Sequence, residues 1–218
     1  MRVYHFRDAK YGLEALSHRR LKISQIEDLN DPFELLGCVL PEKRYRSAFA
    51  ATKADLSRTR GIICFSRNWQ NPVLWSHYAD KHRGVCLGFE VPDEHLLRVI
   101  YSDDRLANDV LEWPSGGEQR LDLVTKLLSL KFRHWEYEDE VRLFASLEEK
   151  DIESGLYFFN FCNNLKLVDV IVGPRSDISR AELAMACGNI PSSVDAFKAR
   201  LSFSEFSVVR NRDQTLWK

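Results

Sequence analysis

Trp135-Glu136-Tyr137-Glu138-Asp139-Glu140-Val141-Arg142-Leu143-Phe144 sets four acids into five positions among aromatic and branched residues. The acids suit a solvated loop, while Trp135, Tyr137, Val141, Leu143 and Phe144 are residue types that favour strands. As one strand, the stretch would alternate between two faces. Glu136, Glu138, Glu140 and Arg142 would line one face, and Tyr137, Asp139, Val141 and Leu143 the other. Such a carboxylate row is either a charged edge that blocks strand pairing or the wall of a polar cleft. The aromatic flank favours the cleft.

The rest of the chain supplies short strands with helices between them. Val3 to Phe6 is a strand candidate. Asp8 caps a helix to about Arg19, and Leu21 to Ser24 returns as a strand. Asn30-Asp31-Pro32-Phe33-Glu34 carries turn chemistry, since the residue before proline avoids the helical region. Phe33 should tuck that turn beside the Trp135 strand. Glu42 to Arg60 reads as a polar helix, and Gly61 to Ser66 as an interior strand. Pro72 to Ala79 opens with proline in a first helical turn. Gly84 to Glu90 and Val99 to Ser102 are strands. Asp103 to Gly117 is a loop and Glu118 to Lys131 a helix. Leu156 to Phe161 and Lys166 to Val172 are strands, and Ser179-x-x-Glu182 is a capping box. A short helix is expected over Ser193 to Arg200 and a last strand over Ser202 to Val209. There is no regular βαβ alternation, so the expected class is α+β: a mixed or antiparallel sheet core with flanking helices.

A chain of 218 residues suits a single domain over 1–218. Its formal net charge of -1 provides no global field toward nucleic acid or an anionic membrane. The 5 cysteines are odd in number and form no CxxC pair. Cys64, Cys86 and Cys162 sit in apolar runs and read as small buried hydrophobes, so neither a zinc site nor a disulfide frame is expected. The start has no apolar h-region and no run is long enough to span a bilayer. A cytoplasmic protein with reduced thiols and no membrane partner is expected. No GxGxxG or Walker loop occurs, His77 and His82 lack zinc-protease spacing, and Asp31 with Glu34 has no local groups to complete a metal shell. No metal is therefore expected.

Five blocks, Tyr4-His5-Phe6-Arg7, Asn30-Asp31-Pro32-Phe33-Glu34, Cys64-Phe65-Ser66, Leu74-Trp75-Ser76-His77-Tyr78-Ala79 and Trp135-x-Tyr137-Glu138-x-Glu140-x-Arg142, resemble the signature of a widespread bacterial domain-of-unknown-function family, over roughly Tyr4 to Gly173. The strand–helix–strand opening, the strand ending in Ser66 and the late Glu-x-Glu are also similar to the ADP-ribosyltransferase fold. The insertion between the second strand and the Ser66 strand departs from that fold. The second resemblance implies an enzyme that cleaves the nicotinamide–ribose bond of NAD, with NAD as substrate. Glu140 would stabilise charge and Glu138 would orient the acceptor. His5, Arg7, Ser66, Trp75 and Tyr78 would contact NAD. Asn30, Asp31, Glu34, His77 and Arg142 would line the substrate side. The acceptor would be a protein, a nucleic acid or water.

Structural roles stand beside these. Arg7 can pair with Glu138 or Glu140 across a sheet, Ser66 can serve a turn, and Trp75 and Tyr78 can be core aromatics. The alternative functions are a non-catalytic nucleotide or nucleic-acid binding module, acting in stress or phage defence, and a purely structural partner protein. On the catalytic reading, Glu140→Gln should abolish turnover and spare stability.

Overall fold

The computed structural model describes residues 1–33, 36–106, 125–188, 193–213, 215 and 217. Its class is α+β, with a mixed, mostly antiparallel sheet. The strands are β1 (Arg2–Arg7), β2 (Arg20–Gln25), β3 (Arg60–Ser66), β4 (Val85–Glu90), β5 (Leu96–Arg98), β6 (Ile100–Ser102), β7 (Leu130–Phe132), β8 (Glu140–Ser146), β9 (Tyr157–Asn160), β10 (Lys166–Val172), β11 (Asp195–Leu201) and β12 (Val208–Arg210). The helices that lie wholly within the described residues include α1 (Ala9–His18), α2 (Lys43–Thr59), α3 (Pro72–Tyr78) and α4 (Arg180–Cys187). The main sheet runs β12-β11-β10-β4-β1-β3-β2-β9, with β8 on β3 and β5 on β8. Within it β10 and β11 run parallel, while β6 and β7 form a separate parallel pair.

Period-two burial explains the centre. Val85, Leu87 and Phe89 of β4 enter one apolar cluster with Leu16 of α1 and Leu183 of α4, whereas Cys86 enters another with Leu74 and Trp75 of α3. The two sheet faces are thus covered by different helices. Helix ends follow their sequence signals. The Asp8 side chain accepts from Tyr11 N at 2.9 Å. Ser179 and Glu182 form the expected reciprocal box. In α1, a Cβ on Gly12 would lie 2.2 Å from Val85 Cγ2, so glycine lets the helix settle onto β4.

The sheet splits at β3. One edge of β3 is paired along its whole length with β8, from Arg60↔Ser146 to Ser66↔Glu140. The other edge takes β2 at Gly61 and Ile62 and β1 only at Tyr4↔Ser66. Residues 63–65 of that edge have no strand partner among the described residues. The candidate site occupies this gap.

Four expectations need correction. The acidic stretch is not one strand. Arg133–Glu138 forms a 3-10 helix, Asp139 takes the left-handed region with φ 46°, and β8 begins at Glu140. Aspartate tolerates that conformation. Arg67 fixes it, donating from its backbone N to Asp139 O at 3.0 Å and from Nε to Asp139 Oδ1 at 2.9 Å. Residues 193–200 are not helical: β11 forms there by pairing alongside β10, with Phe197 and Ala199 buried at period two. The last strand is confined to Val208–Arg210. The helix expected to end at Lys131 gives way to β7 at Leu130. Its first part and most of the loop expected after Asp103 lie outside the described residues.

All five cysteines are free, and Cys162 is exposed where a buried residue was expected. Among the described residues, no helix is long and apolar enough to cross a membrane, and no cluster of three or more His, Cys, Asp or Glu could hold a metal.

Candidate functional site

The split opens a cavity of about 160 Å³ lined by the ends of β1 and β3, by α3, and by the acidic segment. Of the expected site residues, His5, Arg7, Asn30, Ser66, Tyr78, Glu138 and Glu140 all line it, joined by Cys64 and Lys131.

The acidic wall is a buried charge quartet. The left-handed turn at Asp139 brings the Glu138 carboxylate, from the 3-10 helix, beside that of Glu140, from β8. Lys131 Nζ donates to both, at 2.5 Å to Glu138 Oε2 and 2.9 Å to Glu140 Oε2. Arg142 lies two residues along the same face of β8 and donates from Nε to Glu140 Oε1 at 2.9 Å and from Nη2 to Oε2 at 3.2 Å. Its Nη1 also donates to Leu128 O at 2.7 Å. Arg142 is fully buried, and Lys131, Glu138 and Glu140 are each about 95% buried. Two cations balance two anions, the condition under which buried charge is tolerated.

The two carboxylates are not equivalent. Burial pushes both upward. For Glu138 burial wins over Lys131 and its pKa lies above the usual carboxylate range. For Glu140 the Arg142 guanidinium and the Lys131 ammonium outweigh burial and hold it low. Environments that separate two carboxyl pKa values separate an acid–base group from a permanently charged one. The Tyr78 hydroxyl donates to Glu138 Oε1, and Asn30 Nδ2 donates to the Tyr78 oxygen at 2.7 Å. Burial, then Glu138, pushes the Tyr78 phenol upward, so it stays protonated as a donor.

Opposite this wall His5 fills the unpaired edge of β3. A carbonyl can only accept, so His5 Nδ1 carries the proton and donates to Cys64 O at 2.9 Å. Nε2 is buried without a partner among the described residues. Burial, aided by the Arg7 charge, lowers the His5 pKa to about 3. The folded state therefore binds fewer protons than the unfolded chain between about pH 6.5 and 3. The corresponding stability is present above pH 6.5 and is lost as pH falls toward 3. His5→Gln can still donate to Cys64 O but cannot titrate. Its urea-derived stability should fall less than wild type between roughly pH 6.5 and 5, a window above ordinary carboxylate titration. Parallel profiles would sink this account of His5.

Several expected residues sit elsewhere. Trp75 is fully buried, edge-on to Phe6 at 5.3 Å, and its Nε1 donates to Trp69 O at 2.6 Å. It is a core aromatic, because its face of α3 packs onto the sheet. His77 is exposed on the opposite face and meets the Tyr137 ring at 5.8 Å. Asp31 is buried but spends its carboxylate on Phe33 N, at 2.9 Å, which is turn capping. Arg142 stands behind Glu140, outside the cavity lining. Glu34 lies outside the described residues. Phe33 is 52% exposed beneath Arg105, so the turn is tied to the site by Asn30 and not by an aromatic anchor. The Ser66 hydroxyl closes a turn, accepting from Asn68 N at 3.0 Å. Arg7 pairs with neither glutamate, because Lys131 and Arg142 already do. Lys131 was missed in the sequence, where it reads as the polar end of a helix. Cys64 was read as structural; it lines the cavity, and burial together with Glu140 raises its thiol pKa well above the ordinary value.

No curated protein and no solved structure matches the chain. Residues 74–143 match the model of a family described as a protein of unknown function (DUF2971). That stretch contains the Leu74–Ala79 and Trp135–Arg142 blocks, whereas the blocks at Tyr4, Asn30 and Cys64 lie outside it. Over that stretch, which is less than half of the chain, the protein is similar to a domain-of-unknown-function family, and the stretch supplies Tyr78, Lys131, Glu138 and Glu140 to the cavity, with Arg142 behind Glu140.

Proposed function

We propose that the chain is an ADP-ribosyltransferase-like enzyme that cleaves the nicotinamide–ribose bond of NAD. The observation that carries this reading is the pair of buried carboxylates with opposed pKa tendencies, facing a small cavity also lined by a neutral histidine and an arginine. At about 160 Å³ the cavity suits one ring with its amide and not a whole dinucleotide, since sites for drug-sized ligands run to about 300–1,000 Å³. His5 Nε2 needs a donor, and a carboxamide N–H or a ribose hydroxyl provides one. Leaving that nitrogen unpaired costs about 1–3 kcal/mol.

As the C–N bond breaks, its electron pair leaves with nicotinamide and positive charge builds on the ribose, as in glycoside cleavage. The ionised Glu140 and its hydrogen-bonded frame provide a fixed field at that point. A new C–O bond then forms from water or an acceptor hydroxyl, and Glu138 takes the proton released. Its raised pKa makes it a stronger proton acceptor than an ordinary carboxylate. Tyr78 and Lys131 orient the Glu138 carboxylate.

Purified protein incubated with NAD should release nicotinamide, measured by chromatography. Saturable NAD binding without release would replace this reading with the nucleotide-binding module. Absence of both would leave a structural partner protein.

A further inference from the structure

Arg7 lines a second cavity as well as the first. This one, of about 350 Å³, lies between α1, β2, β9 and the loop before β9. Lys22 and Arg20 reach it from β2, Tyr11 and Glu14 from α1, and Phe158 from β9. Two of its three cations are uncommitted. Arg20 is held by Asp151 at 2.7 Å and stacks on the Phe158 ring at 3.8 Å. Arg7 and Lys22 are half-buried and make no ion pair with the described residues. Burial lowers the Arg7 pKa from its ordinary value, and the nearby Asp8 and Glu14 carboxylates offset that only in part. Beside them Tyr11 and Leu156 expose large apolar surfaces to the same cavity.

Unpaired cations next to apolar walls suit a ligand that joins an anion to a planar ring. We infer that this second cavity binds a nucleoside phosphate, its phosphate between Arg7 and Lys22 and its base against Tyr11 and Leu156. The guanidinium of Arg7 can address a phosphate through two parallel hydrogen bonds, which makes it the stronger of the two contacts. Glu14 would repel a phosphate, but it can accept hydrogen bonds from ribose hydroxyls. Because Arg7 borders both cavities, one extended ligand can fill them together, with one ring at Glu138 and the other at Tyr11. Identifying that ligand as a dinucleotide rests on the proposed reading; the phosphate site rests on Arg7 and Lys22.

Titration calorimetry with AMP, which lacks nicotinamide, tests this separately from catalysis. AMP should bind saturably, and more tightly than inorganic phosphate. Arg7→Gln and Lys22→Gln should each weaken it roughly ten- to hundredfold, the scale of a hydrogen bond to a charged group. Glu138→Gln should leave it unchanged. Lys22→Gln keeps the test usable if Arg7→Gln fails to fold. AMP that does not bind, that binds both variants like wild type, or that binds no better than phosphate would overturn the inference. NAD turnover without AMP binding would overturn only this second site. AMP binding with these losses, without turnover, would keep the site and remove the enzyme.

Discussion

Glu140→Gln should destabilise the fold by about 3–5 kcal/mol, the cost of breaking a buried ion pair by removing one partner. For a chain of this size that is a fall in Tm of roughly 6–20 °C. This reverses the sequence-based expectation that the substitution would spare stability. Arg142 has no exposed surface and delivers two hydrogen bonds to the Glu140 carboxylate. Glutamine fills the same volume but leaves the guanidinium without its counter-charge, and a charge in that position cannot reach water. Glu138 continues to serve Lys131, which limits the damage to one unbalanced cation. The double substitution Glu140→Gln with Arg142→Met removes that imbalance and should recover part of the loss, as buried ion pairs replaced by apolar residues often do. Denaturant unfolding of wild type, both single variants and the double variant gives the coupling. A single-variant loss below about 1 kcal/mol would mean that the quartet is hydrated and not a structural unit.

The residues of the site were more legible than the element that presents them. β3, β4 and β10 stand out because Ile62, Ile63, Leu87, Val170 and their neighbours form nearly continuous apolar runs, as strands buried on both faces must. The acidic segment misled because its residue types favour strands. What breaks the strand is one backbone conformation at Asp139 and the Arg67 contacts that hold it, neither of which has a local periodicity. Lys131 escaped notice for a related reason. Its burial is sustained by two carboxylates seven and nine positions later, and no sequence pattern announces that a turn will bring them back. β11 reads as helical from Ala196, Lys198 and Ala199, whose propensity was overridden by pairing with β10. The split of the sheet follows from where β1 and β2 leave β3, which is a property of three strands together.

Glu138→Gln should cost less stability than Glu140→Gln, because Lys131 and Arg142 both keep Glu140, and should lose about 10²–10⁴ in NAD turnover, the range typical of a general acid–base group. The stability side follows from its pKa. A carboxyl raised by burial favours the protonated form in the folded state, so its ionisation lowers stability as pH rises above the ordinary value of 4.5. Glutamine mimics the neutral form and removes that cost. It can still accept from Tyr78 or Lys131, and Lys131 keeps Glu140 as its counter-ion at 2.9 Å. The catalytic side follows from what glutamine lacks, since an amide cannot take the proton released when the acceptor oxygen bonds to ribose. Tyr78→Phe provides the control for orientation. It removes the hydroxyl that donates to Glu138 while leaving the carboxylate, and should cost turnover less than Glu138→Gln does. Measuring nicotinamide release and Tm on the same preparations separates the cases. If Glu138→Gln retains wild-type turnover, or loses as much stability as Glu140→Gln, the acid–base assignment moves away from Glu138 and the quartet is left with a structural role.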